Sequence, residues 1–210
     1  MMPLTSPEID GFLGYSNEIL DILEQIDRLS QSDRSDRVQS ECEADVLLGK
    51  VNGMITRDRR DPPGISICIP LSPEYNGEFA LCHQIFQQAT LIYLYRRLYR
   101  LPSKSASIQA AVRLIEEMMS NMAQGEPCHT WVAMAMPLFT IGCEAFTKIQ
   151  QDFAMDKINK LGECIGSLHV ESIRHALEDV WKIRDNLGDY EGRLCASELL
   201  AKLEYNIILF

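Results

Sequence analysis

The chain has 210 residues, of which 46% are hydrophobic, so it is long enough to bury a core as one domain spanning residues 1–210. Its 30 acidic and 20 basic side chains give a net charge of −10, which disfavours direct contact with nucleic acid phosphates. Seven cysteines without a C-x-x-C pair, in a sequence that opens with no secretory segment, indicate reduced thiols in the nucleus or cytoplasm.

Apolar residues recur at helical spacing in nearly every segment, which predicts an all-α domain of about seven to nine packed helices. A short capped piece opens the chain and ends near Gly14. An apolar stripe over residues 19–29 then predicts the first long helix, and the polar residues 30–37 predict a solvated loop.

The second helix begins at a capping box formed by Ser40 and Glu43 and runs to about Arg60. Residues 61–74 form a long Pro-rich loop, which contains the one alternating stretch of the chain at residues 65–69.

The longest helix is predicted from Pro73 to Leu101, after a cap followed by proline. Its inner face carries Phe79, Cys82, Phe86, Ala89 and Tyr93, and it ends in the sequence YLYRRLYR. Arginines among aromatics are compatible with nucleic acid binding, but the acidic chain favours a helix end whose arginines pair with carboxylates.

Four further helices are predicted in the second half of the chain: residues 105–122, 153–164, 170–187 and 190–206. Between the first two of these lies the apolar stretch MAMPLFTIGCEAF, which starts at residue 134. The apolar run is shorter than the roughly 20 residues that a membrane-spanning helix needs, so no membrane contact is expected.

Pro137 predicts a kink or a restart of the helix between Thr130 and Gln151, because proline cannot donate a backbone hydrogen bond. Gly142 predicts the close approach of a second helix, on a face that would also carry Leu138, Ala145 and Ile149. Glu144 would project away from that face as a charged flank.

The stretch MPLFTIGCEA resembles the W-P-L-F-I-A-G-C-E-A signature of the C-terminal regulatory domain of fungal binuclear zinc-cluster transcription factors. Four other segments resemble the opening helix of that family, its A-x-x-I-Y-L-x-R segment, its L-E-x-V-W-x-x-R-D helix and its apolar end. In this chain they are residues 14–23, 89–98, 177–185 and 206–210.

The resemblance implies a regulatory domain that controls transcription by binding an apolar small molecule or a protein partner, or by forming a homodimer. It also implies that DNA is contacted by a separate zinc module, which is absent from this sequence. A second departure is Met136, which stands where the family usually has tryptophan.

Aromatic and thioether side chains predict an adaptable apolar ligand pocket, although ordinary core packing explains them equally well. The candidate pocket residues are Tyr93, Trp131, Met134, Met136, Phe139 and Trp181. Arg184 lies on the apolar stripe of Trp181, so its guanidinium is expected to have a partner such as Glu144 or Asp185.

Histidine spacing gives no metal site, and the phosphate-loop, dinucleotide and nucleophile-elbow motifs are absent, so neither a metal nor a cofactor is expected. The residues Asp33 to Asp36 faintly resemble a diphosphate motif but fit a solvated loop better.

As an alternative function, a stand-alone domain of this type would act as a cyclase or isomerase on an apolar secondary metabolite. Its candidate catalytic residues are Glu144, Asp185, Arg184 and Tyr93.

Overall fold

The computed structural model describes residues 8–31, 37–66, 73–123, 130–165, 167–195 and 198. Within these ranges the chain forms seven α-helices, one 3₁₀ helix and a sheet of two short strands, which confirms the all-α class. In chain order the elements are β1 (Ile9–Asp10), α1 (Asn17–Gln31), α2 (Arg37–Arg60), β2 (Ile65–Ser66), α3 (Pro73–Arg97), α4 (Ala106–Asn121), the 3₁₀ helix (Thr130–Met134), α5 (Ala135–Cys143), α6 (Lys148–Ile165) and α7 (Ser167–Leu187).

The first two helices agree with their predicted stripes but leave less room for a loop between them. Helix α1 buries Ile19, Ile22, Leu23 and Ile26 on one face. It extends to Gln31, and α2 already begins at Arg37, so the ends of the predicted loop are helical. The remainder of that loop, with Asp33 to Asp36, lies outside the described residues.

The small parallel sheet was not predicted, because two residues carry too little pattern to be recognised as a strand. Ile9 pairs with Ile65, and the Ile9 amide donates to the Gly64 carbonyl at 2.8 Å. Part of the predicted Pro-rich loop is thus strand β2, and its last two residues belong to α3. Residues 67–72 lie outside the described part of the chain.

Helix α3 is the centre of the fold and packs against α1, α2, α4 and α5. It is buried on several sides, since Phe79, Cys82, Ile85, Phe86, Ala89, Ile92 and Leu94 all lie in the core. The helix ends at Arg97, four residues before the predicted Leu101, because the chain turns through a left-handed residue at Arg100.

The predicted restart around Pro137 is confirmed, with α5 following directly on the 3₁₀ helix. Pro137 lies in the first turn of α5, where a helix does not use the missing N–H. Gly142 packs against Leu177 of α7, and a Cβ at Gly142 would lie 2.6 Å from Leu177 Cδ1. The predicted close approach of a second helix is therefore confirmed.

Two predictions for this stretch are wrong, because α5 ends at Cys143 and the helical face stops there. Ile149 belongs to α6 and is 82% exposed. Glu144 is not a charged flank, since it is only 2% exposed.

Helices α6 and α7 pack on each other and on α5 to complete the second half of the fold. Across the residues that the structure describes, no helix is both long enough and apolar enough to cross a membrane. The predicted start of the last helix at residue 190 is wrong, because residues 190–195 form turns and irregular chain. Most of the remainder of the predicted helix 190–206 lies outside the described residues, as do His129 and the apolar end of the chain.

Candidate functional site

Arg96 and Glu144 form a buried ion pair between two helix ends. Arg96 lies in the last turn of α3, and Glu144 directly follows α5. The Arg96 Nε and Glu144 Oε1 atoms are 3.1 Å apart, and both side chains are at most 4% exposed. Glu144 Oε2 is buried and accepts no hydrogen bond from the described residues, which is rare for a carboxylate oxygen in a protein interior.

The Arg96 guanidinium also holds the loop that follows α7. It donates to the carbonyls of Leu101, Gly192 and Leu194, with 2.8 Å to the Gly192 oxygen. A charged guanidinium can satisfy several carbonyls at once because its donors are fixed in a planar fork. One side chain of α3 therefore connects α5 to the segment 192–194.

Arg184, in the last turn of α7, binds the same region from the other side. Its guanidinium donates to the carbonyl of Cys143, to Ser103 Oγ at 3.4 Å and to the Leu194 carbonyl at 3.2 Å. Arg184 also lies over the Phe146 ring, with Cζ 5.2 Å from the ring centre. We call Arg96, Ser103, Glu144 and Arg184 the polar junction.

Gly192 is required where the loop crosses the junction. Its φ of +66° is in the left-handed region, and a Cβ there would lie 2.2 Å from Phe146 Cζ and 2.7 Å from Ser103 Oγ. The absence of a side chain lets the Gly192 carbonyl reach Arg96, Ser103 Oγ and the Ser103 amide.

A surface cleft of about 510 Å³ is lined by Arg96 of the junction, and we call it the arginine cleft. Among the described residues, its lining is rich in guanidinium groups and contains one carboxylate. The lining residues are Ser30, Arg96, Arg97, Arg100, Pro102, Arg193, Leu194, Cys195 and Glu198.

A smaller cleft of about 140 Å³, which we call the Trp181 cleft, also borders the junction. Arg184 lines it together with Trp181, Asp185, Lys104 and Phe146. Lys104 Nζ lies 5.1 Å from the centre of the Phe146 ring, so two cations of this cleft lie near one aromatic group, and Asp185 and Asp189 supply carboxylates beside them. The two guanidiniums of the junction thus line different clefts.

The model of the family described as "Fungal specific transcription factor domain" matches residues 1–209 of the chain. The chain belongs to this family. The match confirms the resemblance and gives the domain a role in transcription regulation, which indicates the nucleus. No zinc-cluster DNA-binding domain is detected in the sequence, and neither the curated proteins nor the solved structures give a match.

In this transcription factor domain, the predicted ligand-pocket residues are divided between the core and the surface. Trp131, Met134, Met136 and Phe139 are buried and packed in the core, and they line neither of the two clefts. Tyr93 is half-buried. Trp181 is the one member of the set that lines either cleft, and its Nε1 donates to the Gly142 carbonyl at 2.9 Å.

Tyr93 is held by the neighbouring helix α1, since its hydroxyl donates to Asp27 Oδ1 at 2.5 Å. Burial and this acceptor raise the pKa of the Tyr93 phenol well above its ordinary value, so it stays protonated. This hydrogen bond ties α3 to α1, one helical turn before Arg96.

The four residues suggested for an enzyme do not form one reactive group. Glu144 and Arg184 are enclosed in the junction, Asp185 is exposed at the Trp181 cleft, and Tyr93 is bonded to Asp27. The enzyme alternative has no support in this geometry. The predicted carboxylate partner of Arg184 is also wrong in the described part of the chain, because Arg184 binds carbonyls and Glu144 pairs with Arg96.

Sequence reasoning placed the arginines of YLYRRLYR at a helix end and paired them with carboxylates, and the structure confirms this for Arg96, Arg97 and Arg100. It missed that Arg96 is buried. A signal was present, because Arg96 lies three residues after Tyr93 and continues the predicted inner face of α3. Ser103 carried no such signal, since it lies between helices, and Gly192 and Arg193 were assigned to the predicted helix 190–206, which the structure does not form at these residues.

Proposed function

We propose that this domain regulates transcription by responding to a small-molecule effector that binds beside the polar junction. One observation carries the proposal: Arg96 and Arg184, which line different clefts, both donate to the carbonyl of Leu194. A group bound in either cleft would therefore act on a hydrogen-bond network that extends to the other cleft.

The position of the junction supports a regulatory role. It joins the C-terminal ends of α3, α5 and α7 to the segment 192–194. Buried charges have few alternative partners, so small changes there favour discrete arrangements of the helices over gradual ones. An effector would shift the domain between such arrangements only by binding one of them more tightly.

The two clefts favour a polar effector over the apolar metabolite that the sequence suggested. Their walls are formed largely by charged and hydrogen-bonding side chains, whereas the apolar residues of the predicted pocket are packed together in the core. By family resemblance, DNA would be contacted by a separate zinc module, and this domain would supply the response.

The test is to introduce the substitution Arg184→Lys into the native gene for this protein. Lysine keeps the positive charge but cannot bond three acceptors in a plane, so the link between the clefts is broken. Deletion of the gene identifies the transcripts that depend on the protein. We expect the same transcripts to change in the R184K strain, although R184K and wild-type protein are equally abundant.

The matched control is Arg174→Lys, which lies on the same helix and pairs with Glu171 at the surface. We expect R174K to leave these transcripts as in the wild type. Wild-type transcripts in a strain whose R184K protein is folded and abundant would contradict the proposal.

A further inference from the structure

The arginine cleft concentrates positive charge in a chain whose net charge is −10. Among the residues that the structure describes, four arginines line it against one carboxylate, that of Glu198. Arg96 and Arg97 are also paired with Glu144 and Asp27, which do not line the cleft, so one positive charge remains in excess. In an acidic protein such a local reversal of sign attracts anions to one place, because a concave site focuses the field of its charges.

Two of the four guanidiniums are fixed by the protein itself. Arg96 is buried in the polar junction, and Arg97 donates to Ser30 Oγ at 2.8 Å and lies 3.6 Å from Asp27 Oδ1. These two supply a charged wall whose geometry is set before any ligand arrives, which lowers the entropy cost of binding.

The other two guanidiniums are available at the mouth of the cleft. Arg193 is exposed, and its side chain forms no ion pair or hydrogen bond with the residues that the structure describes. Arg100 is 61% exposed, and its nearest carboxylate oxygen, on Glu198, is 3.9 Å away. An ion pair this long and this exposed contributes little, so Arg100 can exchange Glu198 for another anion.

The backbone of Arg100 gives a second, independent indication. Its φ of +51° lies in the left-handed region, where glycine normally closes a helix. A side chain at such a position costs about 1 kcal/mol or more, and residues of this kind concentrate at functional sites. Here the strained residue directs a guanidinium to the cleft.

The size of the cleft decides between small and large anions. About 510 Å³ is within the range of small-molecule sites. A nucleic acid would also meet the acidic surface of the rest of the chain, which opposes it. Arginine binds carboxylate and phosphate groups through paired hydrogen bonds, so either group would suit the site.

We propose that the arginine cleft binds a small organic anion through Arg100 and Arg193, with its carboxylate or phosphate group displacing Glu198. This inference rests on the proposed function in taking the cleft as the effector site, but the binding itself can be measured separately. Because Arg96 belongs to both the cleft and the junction, the bound anion would act directly on the Arg96 contacts.

The test uses calorimetric titration of the purified chain at constant ionic strength. The probes are inorganic phosphate, succinate, and uncharged succinamide as the control ligand. We expect saturable binding of phosphate or succinate, which distinguishes the two anion classes, and none of succinamide.

Three variants make the assignment specific. R100Q/R193Q removes both exposed cleft charges and should weaken binding at least about tenfold, since each charged hydrogen bond is worth that much. R59Q/R113Q removes two exposed arginines of α2 and α4 and should leave it unchanged. E198Q removes the competing carboxylate and should tighten binding a few-fold.

No saturable binding of either anion, or equal losses in both double variants, would overturn the proposal. Tighter binding of a short DNA duplex than of both small anions, lost in R100Q/R193Q, would overturn the choice of a small ligand. If the anion binds but the R100Q/R193Q strain keeps wild-type transcripts, the cleft assignment stands and the proposed regulatory function fails. If R184K alters transcripts but no anion binds, the proposed regulatory function stands and the cleft assignment fails.

Discussion

Arg96 and Glu144 meet in the protein interior across 48 residues of sequence, with 3.1 Å between Nε and Oε1. Removing one charge of such a pair leaves the other buried without compensation, which usually costs about 3 to 5 kcal/mol. We expect Glu144→Gln to lower the free energy of unfolding by about 3 kcal/mol, measured by urea denaturation.

The matched control for this pair is Asp152→Asn, which breaks the exposed Lys148–Asp152 pair on α6. We expect this change to stay within about 0.5 kcal/mol of the wild type. Equal losses in free energy of unfolding for the two substitutions would show that the Arg96–Glu144 pair contributes no more to stability than an exposed ion pair.

Gly192 should not tolerate a side chain. Its left-handed φ and the close contact that a Cβ would make with Phe146 and Ser103 both oppose alanine. We expect Gly192→Ala to destabilise the domain by about 2 to 4 kcal/mol, from backbone strain and overpacking together. The measurement is the shift of the urea midpoint.

Gly188→Ala isolates the backbone part of this effect. Gly188 has a similar φ of +63°, but a Cβ there would come no closer than 3.5 Å to Tyr190. We expect a loss of only about 1 kcal/mol. A Gly188 variant as unstable as the Gly192 variant would argue against a steric role for Phe146 and Ser103.

His83 should make the stability of the domain depend on pH. Its Nε2 lies 2.9 Å from Asp58 Oδ2, and its Nδ1 accepts from the Ser16 amide at 3.4 Å. Burial lowers the pKa of His83 from its ordinary 6.5, and the Asp58 carboxylate, itself paired with Arg57, opposes this only in part.

Since the unfolded chain protonates His83 first, the unfolded state binds more protons as the pH falls below about 6.5. The free energy of unfolding therefore decreases from about pH 7 toward the lower folded pKa, by at most about 1.4 kcal/mol per pH unit. Urea denaturation between about pH 5 and pH 8 would measure the slope, and His83→Gln should reduce it. An unchanged slope in that variant would assign the effect to other groups.

Arg100→Gly should stabilise the domain while weakening anion binding. Glycine removes the Cβ that opposes the φ of +51°, which we expect to raise the free energy of unfolding by up to about 1 kcal/mol. Arg59→Gly, at an exposed helical position of α2, should instead lower it by about 1 kcal/mol. Thermal unfolding of both variants measures the difference between their stabilities. A loss of stability in the Arg100 variant would contradict the inference that the backbone of Arg100 is strained.

Much of the fold was predictable because helices leave a local pattern. The stripe of Ile19, Ile22 and Ile26 and the inner face of α3 appear directly in the sequence, since burial on one side of a helix repeats every three or four residues. The family was also recognisable, because the stretch around Gly142 that resembles its signature is contiguous in the sequence.

The candidate site depended on tertiary structure. Glu144 follows an apolar helix, and its sequence context predicts a surface charge. It is buried because Arg96 of α3 pairs with it and Arg184 of α7 binds the neighbouring Cys143 carbonyl. Likewise, Trp131 and Phe139 are residue types found in ligand pockets and in cores, and the packing of the 3₁₀ helix and of α5 against their neighbours placed them in the core.

By itself, the sequence determined the helical class, most helix positions and the family, because these depend on contacts between residues close in the chain. Tertiary structure alone decided which charges are buried and where the clefts open. These features depend on residues such as Arg96, Glu144 and Gly192, which are distant in sequence and acquire their environment only when helix ends and loops converge.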